Sequence, residues 1–413
     1  MKRYSAYKET AVEWIGEIPE HWEVTKMKYT NKIIMGQSPS SDDYIFEPIA
    51  QPFLQGNAEF GSKYPSPKVW CDNVNKSAEK GDILISVRAP VGALNIANQK
   101  YGIGRGLAAI RADMHHSQYL YYYLYSLNDY LNSLGTGSTF KAISTTDVGN
   151  IVIPIIPEME QQQIVAYLDK KTAQLDRLLG LKEEKIKLLQ EKRTALINQV
   201  VTKGLDRTVT MKDSGVEWIG EIPEGWEKVR MKFLCDITTG AKDTKDREDD
   251  GLYPFFVRSQ TIEKINTFSF DGEGILTAGD GVGVGKVFHH YIGKFDFHQR
   301  VYLLYNFKRI IGRYLYLYMK NNFLKTVENQ NAKSTVDSLR MNMLQDFTVV
   351  LPPKFEQQQI ITYLDQETAK IDHLIRTEAK KIALLKAYRQ SLISEVVTGK
   401  KRVADCCLEL EKN

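Results

Sequence analysis

Few side chains in this 413-residue sequence stand at spacings that perform chemistry by themselves. Gly281-Val-Gly-Val-Gly-Lys286 has the glycine density of a phosphate loop. Asp280 and Val287 flank it, however, so the GxxxxGK pattern followed by Ser or Thr fails and no hydroxyl is placed for magnesium. Phe270-Asp-Gly-Glu-Gly274 has the FxGxG look of an S-adenosylmethionine loop. The only Pro-Pro, in Leu351-Pro-Pro-Lys354, lacks the Asn or Asp and the aromatic residue of a DNA amino-methyltransferase turn, so Phe270–Gly274 reads as a turn. His115-His116, His289-His290 and His298 have no cysteine or carboxylate at metal-ligand spacing, and no metal site is expected. No dinucleotide-binding βαβ pattern, GxSxG elbow or cysteine–histidine signature is present. The sequence therefore predicts no catalytic residue and no directly bound cofactor.

It does offer polar loops. In the first half Ser38, Gln55, Asn57, Lys63, Arg88 and Arg105 lie among glycines and other small residues. In the second half Lys242, Thr244, Arg258, Ser259, Lys286, His298, Gln299 and Arg300 do the same. Guanidinium groups pair bidentately with guanine and amides with adenine, while hydroxyl and ammonium groups suit phosphate. These residues are the candidate contacts to double-stranded DNA. The tyrosine runs Tyr119–Tyr125 and Arg313–Met319 belong instead to helices, with their rings in the core.

Composition limits the partners. With 43% hydrophobic and 26% charged residues the chain is globular, and its length calls for two or three domains. No run is long and apolar enough to span a membrane. The N-terminus is charged, not secretory, and Cys71, Cys235, Cys406 and Cys407 form no disulfide framework, so the cytoplasm is the expected compartment. Lys and Arg total 55 against 51 Asp and Glu, a net charge of +4 that exerts little overall pull on phosphate. Any DNA binding must come from local patches or from partner subunits.

The chain repeats itself. Val12-Glu-Trp-Ile-Gly-Glu-Ile-Pro-Glu20 returns unchanged at Val216–Glu224, and Trp22, Met27 and Lys28 return as Trp226, Met231 and Lys232. A second block, Pro157–Thr202, returns as Pro353–Thr398 with 23 of 46 positions identical. The first block repeats at an offset of 204 and the second at 196, so the intervening middles differ by eight residues, and they show little similarity. Matched ends with divergent centres suggest one scaffold holding two different readers.

The second block predicts a long helix. Glu160–Val201 has no proline, and its apolar positions step by threes and fours: Leu168, Leu175, Leu179, Ile186, Leu189 and Leu196, then Leu364, Ile371, Ile375, Ile382, Leu385 and Leu392 in the second copy. A sustained 3.5-residue period demands a partner helix. Leu178, Leu188 and Ile197 are expected to widen the buried stripe. Prolines stand at each start and glycines at each end, giving rods of roughly 60 Å. An antiparallel pairing of the two rods buries both stripes. Lys182 and Glu378 occupy the same seam position in the two copies, a polar interruption suited to fixing register.

Taken together, these segments resemble the specificity subunit of Type I restriction–modification systems, over residues 10–402. The carriers are Trp14-Ile-Gly-Glu-Ile-Pro-Glu-His-Trp22, Ile85-Ser-Val-Arg-Ala-Pro-Val-Gly92, Ile103-Gly-Arg-Gly106 and Glu160-Gln-Gln-Gln-Ile-Val-Ala-Tyr-Leu-Asp169, with Gly279-Asp-Gly281, Gly285-Lys-Val287 and His298-Gln-Arg-Val301 as the variant module. The resemblance implies an α+β fold: two strand-rich target recognition domains, 1–159 and 206–355, separated by a pair of long antiparallel coiled-coil helices, 160–205 and 356–402, with a pseudo-two-fold internal repeat and a tail at 403–413. It also implies that each domain reads half of a split DNA target and that the helices set the gap. Two methyltransferase (modification) subunits would dock on the helices and restriction/translocase subunits would join them. S-adenosylmethionine, ATP and Mg would then belong to those partners, with no enzyme activity in this chain. The alternative is a standalone DNA-binding or phage-defence adaptor on the same scaffold without methyltransferase partners, and a third class is a purely structural coiled coil.

Overall fold

The computed structural model describes residues 3–134, 142–331 and 338–403; the expected tail, Cys406 and Cys407 included, lies outside them except for Val403. The chain divides into two compact units, Met1–Lys182 with Lys380–Asn413, and Glu183–Ala379. Two long helices contribute to both. The first spans Glu158–Lys203 and the second Lys354–Val397. Each follows a proline and ends one or two residues before a glycine in the left-handed region, Gly204 (φ 77°) and Gly399 (φ 76°), a backbone conformation that a Cβ disfavours.

The helices run antiparallel. Within the second unit Lys185 Nζ lies 3.0 Å from Glu378 Oε1 and Arg193 Nε lies 3.0 Å from Asp372 Oδ1, so advancing along one helix moves backward along the other. Within the first unit Arg389 Nε donates to Asp176 Oδ1 at 3.0 Å. The offset of 196 carries Asp176 onto Asp372 and Arg193 onto Arg389, so each unit holds one copy of the same ion pair. Such partly exposed pairs contribute about 0–1 kcal/mol each and serve register more than stability. The seam supplies the stability. Leu168, Leu179, Leu364, Ile371 and Leu392 are buried, and Leu175, Ile186, Leu189, Leu196, Ile375, Ile382 and Leu385 are half-buried. Glu378 is buried at its seam position with Lys185 as partner, whereas Lys182 is half-buried.

The expected widening of the stripe is corrected at two of three positions. Leu178 is 40% and Leu188 56% exposed, because a 3.5-residue seam turns its flanks away from the partner helix. Their repeat equivalents Leu374 and Leu384 are exposed as well, while Ile197 is buried in the core of the second unit.

The divergent middles fold alike. In the first unit Asn31–Met35, Leu107–Ala112, Ile83–Ser86 and Leu94–Ile96 are successive neighbours in a four-stranded sheet. Asp236–Thr239, Val301–Tyr305, Phe270–Ala278 and Phe288–Phe297 are neighbours in the same order in the second unit. Each unit adds a parallel pair, Phe53 beside Gly102 and Leu54 beside Ile103 in one, Phe255 beside Asp296 and Phe256 beside Phe297 in the other. In the second unit Phe288–Phe297 is one continuous strand and joins everything into a six-stranded sheet. In the first the corresponding chain breaks into Leu94–Ile96 and Tyr101–Ile103, which belong to separate sheets.

Phe270–Gly274 is a correction. The segment expected as a turn lies in the nine-residue strand Phe270–Ala278, paired residue for residue with Phe288–Phe297. Its Asp and Gly residues disfavour a strand locally. Tertiary pairing overrides them, with the Phe270 ring 5.2 Å from that of Phe295.

The repeated motifs join each sheet to its helix. Trp22 Nε1 donates to Glu160 Oε2 at 3.0 Å, and Trp226 Nε1 to Glu356 Oε2 at 2.8 Å. The adjacent Gln161 and Gln357 side-chain oxygens accept from the backbone N–H of His116 (2.6 Å) and Ile311 (2.8 Å), at the starts of the tyrosine-bearing helices. Tyr119, Tyr123, Tyr314 and Tyr318 are fully buried there as expected, and the Tyr119 and Tyr314 hydroxyls donate to the carbonyls of Val397 and Val201 near the ends of the long helices. Replacing Trp226 by Phe deletes a hydrogen bond to a charged, partly buried acceptor. A loss of about 1.5–3 kcal/mol is expected, read as a lower urea midpoint. Glu356→Gln, which keeps an acceptor oxygen, should cost less; an unchanged midpoint in Glu356→Ala would show that the indole acts only by its volume.

Candidate nucleic-acid interface

In both units the candidate loops follow directly from the parallel strand pair. Strands Gln51–Leu54 and Tyr101–Ile103 end side by side, so Gln55–Asn57 and Gly104–Gly106 leave the sheet together. With the loop after strand Ile83–Ser86 they enclose a cavity of about 300 Å³ lined by Gln55, Asn57, Glu59, Ser86, Arg88 and Arg105, with Gly56 and Gly106 among its backbone walls. Ser38 joins this group, its Oγ accepting from the Arg105 backbone N–H at 3.2 Å. The structure thus gathers five of the six residues predicted in the first half. Lys63 is not among the cavity residues, and its ammonium lies 5.7 Å from the Tyr64 ring centroid. Arg88 and Arg105 form no ion pair among the described residues. Glu59, which sequence reasoning passed over, accepts from the Gly56 N–H at 3.3 Å and puts an acid on the cavity wall.

The second unit gathers its candidates around a carboxylate. Arg258 Nη1 donates to Asp280 Oδ1 at 2.8 Å, and Arg300 Nη1 donates to Asp280 Oδ2. Burial pushes the Asp280 carboxyl up, but hydrogen bonds from the two guanidinium groups, with their charges, outweigh this and hold it below the ordinary carboxylate range. His298 is buried beneath, its Nδ1 accepting the Arg300 N–H at 3.0 Å. Desolvation, then the Arg258 charge, lowers its pKa, which favours the neutral imidazole. Gln299 is tied to the loop before it, its backbone N–H donating to the Lys242 carbonyl at 2.8 Å and its amide to Asp243 Oδ2 at 3.2 Å. Thr244 opens the short turn that Asp243 caps. The Ser259 carbonyl lies 3.0 Å from His289 Nε2, and Gln260 donates to the Lys286 carbonyl at 2.9 Å. Asp280 and Asp243 were not among the predicted residues; no spacing in the sequence marks Asp280 as the partner of arginines some twenty residues away, or Asp243 as that of Gln299.

Backbone contacts align the two sites. Val87 N–H donates to Gly106 O (3.0 Å) and Ile143 N–H to Val87 O (3.0 Å) in the first unit. Gly279 N–H donates to Arg300 O (2.8 Å) and Leu339 N–H to Gly279 O (2.8 Å) in the second. Arg88 bridges Ala142 just as Asp280 bridges Ser338. Position 280 of the second copy therefore corresponds to position 88 of the first. The preceding glycines agree too: a Cβ on Gly36 would stand 2.1 Å from Gly104 O, and one on Gly240 2.0 Å from Phe297 O, so both loops cross the strand ends too closely for any side chain.

The remaining motifs take other roles. Gly281–Gly283 forms a short 3-10 turn. His115 Nε2 lies 3.2 Å from the Pro154 carbonyl and His290 Nε2 2.8 Å from Glu273 Oε1. Among the described residues no three His, Cys, Asp or Glu side chains cluster as a metal site requires, and no helix is long and apolar enough to cross a membrane.

Comparison with known proteins finds the same doubling. The model of the Type I restriction modification DNA specificity domain matches residues 19–190 and again 223–385. A putative type I restriction enzyme MjaX specificity subunit from Methanocaldococcus jannaschii is 42% identical over 193 residues, which are 46% of this chain and 44% of that protein, so the match spans under half of that relative's length. The type I restriction enzyme MjaVIII specificity subunit from the same organism is 25% identical over 426 residues, covering 94% of each chain. A chain solved in work on complex assembly and conformational transition of the type I R-M system superposes with a TM-score of 0.72 at 19% identity, covering 92% of this chain and 98% of that one; at this identity the likeness is one of fold.

Proposed function

This chain belongs to the Type I restriction modification DNA specificity domain family, and from that premise we propose that it is the sequence-reading subunit of a restriction–modification assembly. The modules 1–159 and 206–355 each read one half of a split double-stranded DNA target. The helical spacers 160–205 and 356–402 set the gap and dock two methyltransferase subunits, to which restriction/translocase subunits attach. Methylation and cleavage, with S-adenosylmethionine, ATP and Mg, belong to those partners. The observation that carries the reading is the same strand-end edge occurring twice with different side chains: amides and arginines with no ion pair among the described residues in one copy, an arginine–aspartate cluster in the other. One frame with two chemistries is what an asymmetric target requires. The exposed leucines Leu178, Leu188, Leu374 and Leu384, repeated at equivalent places on the helices, support docking.

The near-neutral charge predicts weak DNA binding by the chain alone, since few phosphate contacts give little counterion release. Co-expression with modification subunits, followed by genome-wide mapping of methylated adenines, should return one motif made of two specific parts and a fixed unspecific gap. Methylation at a continuous motif, or none, would count against the proposal.

A further inference from the structure

Asp280 poses a problem for any surface that approaches phosphates. It is an anion at the centre of the second module's candidate contacts, at the position that holds Arg88 in the first. Its side chain is 17% exposed, while those of Arg258 and Arg300 are 43% and 63% exposed. Each carboxylate oxygen takes one Nη1 donor from a different arginine, so both oxygens are occupied. A guanidinium has five N–H donors, and one bond to Asp280 leaves each of these part-exposed arginines four. The carboxylate is anchored in turn, because the residue before it is hydrogen-bonded on both sides, through Arg300 O and Leu339 N–H. Arg300 is held again by His298 Nδ1. Long flexible side chains lose rotamer freedom on binding, and an acid that fixes two of them beforehand removes part of that cost.

We infer that Asp280 is a positioning residue for base reading: it holds Arg258 and Arg300 as a preset double fork, and the half-site of the second module contains guanine whose O6 and N7 accept from that fork. The inference rests on the DNA-reading function proposed above and adds the base and the residue that orients its readers. Guanine follows from the chemistry, since two adjacent N–H donors on a planar fork match the two acceptors on its major-groove edge, whereas adenine presents one acceptor and one donor there. Asp280 itself is the less available group for cytosine, because its side chain is 17% exposed and each of its oxygens already accepts from an arginine.

The test uses the full chain assembled with its modification subunits and compares binding to the cognate duplex with duplexes changed at single G·C pairs of the second half-site. Asp280→Asn keeps the shape and removes the charge. It should reduce discrimination at those pairs roughly tenfold while binding to unrelated DNA stays equal or rises, because an anion has been removed. Arg258→Lys and Arg300→Lys keep the charge but not the fork and should lose discrimination in the same way, which decides the matter if Asp280→Asn fails to fold. A second half-site without guanine on either strand overturns the inference, as do variants with unchanged base preference. A wild-type assembly that selects no sequence at all defeats the broader proposal instead, so the two failures are distinguishable.

Discussion

Selection at the half-site of the first module is expected to fall about 100-fold or more when Arg88 and Arg105 are both replaced by alanine, with the second half-site read as before. Both arginines line the 300 Å³ cavity with Gln55 and Asn57, and neither is held by an ion pair among the described residues. A good bidentate pair to a base contributes about 1–3 kcal/mol of discrimination, and two such losses on one edge multiply. Competition binding with duplexes scrambled in one half-site at a time measures the effect. Lys63→Ala is the control: it is not one of the cavity residues, and it should weaken all duplexes evenly and reduce the salt slope by about one. Equal behaviour of the two variants would mean that the cavity is not where bases are read.

Lengthening both long helices by one heptad, after Leu189 and after Leu385, should widen the tolerated gap between half-sites by about three base pairs. Seven residues add about 10 Å of helix at 1.5 Å per residue, and duplex DNA rises 3.4 Å per base pair. The insertions are placed at repeat-equivalent positions, so the seam keeps its 3.5-residue period in each copy and the antiparallel ion pairs Asp176–Arg389 and Asp372–Arg193 remain available. Inserting seven residues after Leu189 alone should instead leave one helix unmatched, exposing seam leucines and lowering the melting temperature. Methylation mapping of the doubly lengthened protein reads the gap directly. An unchanged gap would show that the helices hold the assembly together without measuring DNA.

Much of the scaffold was legible in the residues because it depends on local rules. The step of threes and fours from Leu168 to Leu196 marks a seam wherever the helix packs, and Pro157 and Gly204 bound it by backbone geometry. Flank positions were less legible. Leu178, Leu188 and Ile197 look equally apolar, and only the second unit's core covers the last of them. The strand Phe270–Ala278 was misread for a related reason: Asp271 and the glycines argue for a turn over five residues, and a ten-residue partner strand outvotes them.

The duplication, the heptad period of each long helix and the lack of recognisable catalytic spacing are therefore properties of the amino-acid order alone, because each rests on identity or periodicity along the chain. The antiparallel pairing of the two helices, by contrast, is seen in their ion pairs. The likeness of the two middles, the collection of Gln55, Asn57, Arg88 and Arg105 around one cavity, and the position of Asp280 between Arg258 and Arg300 were decided by tertiary structure. Those arrangements depend on which strand ends become neighbours. A parallel pair joins segments some forty to fifty residues apart with nothing in either segment that names the other.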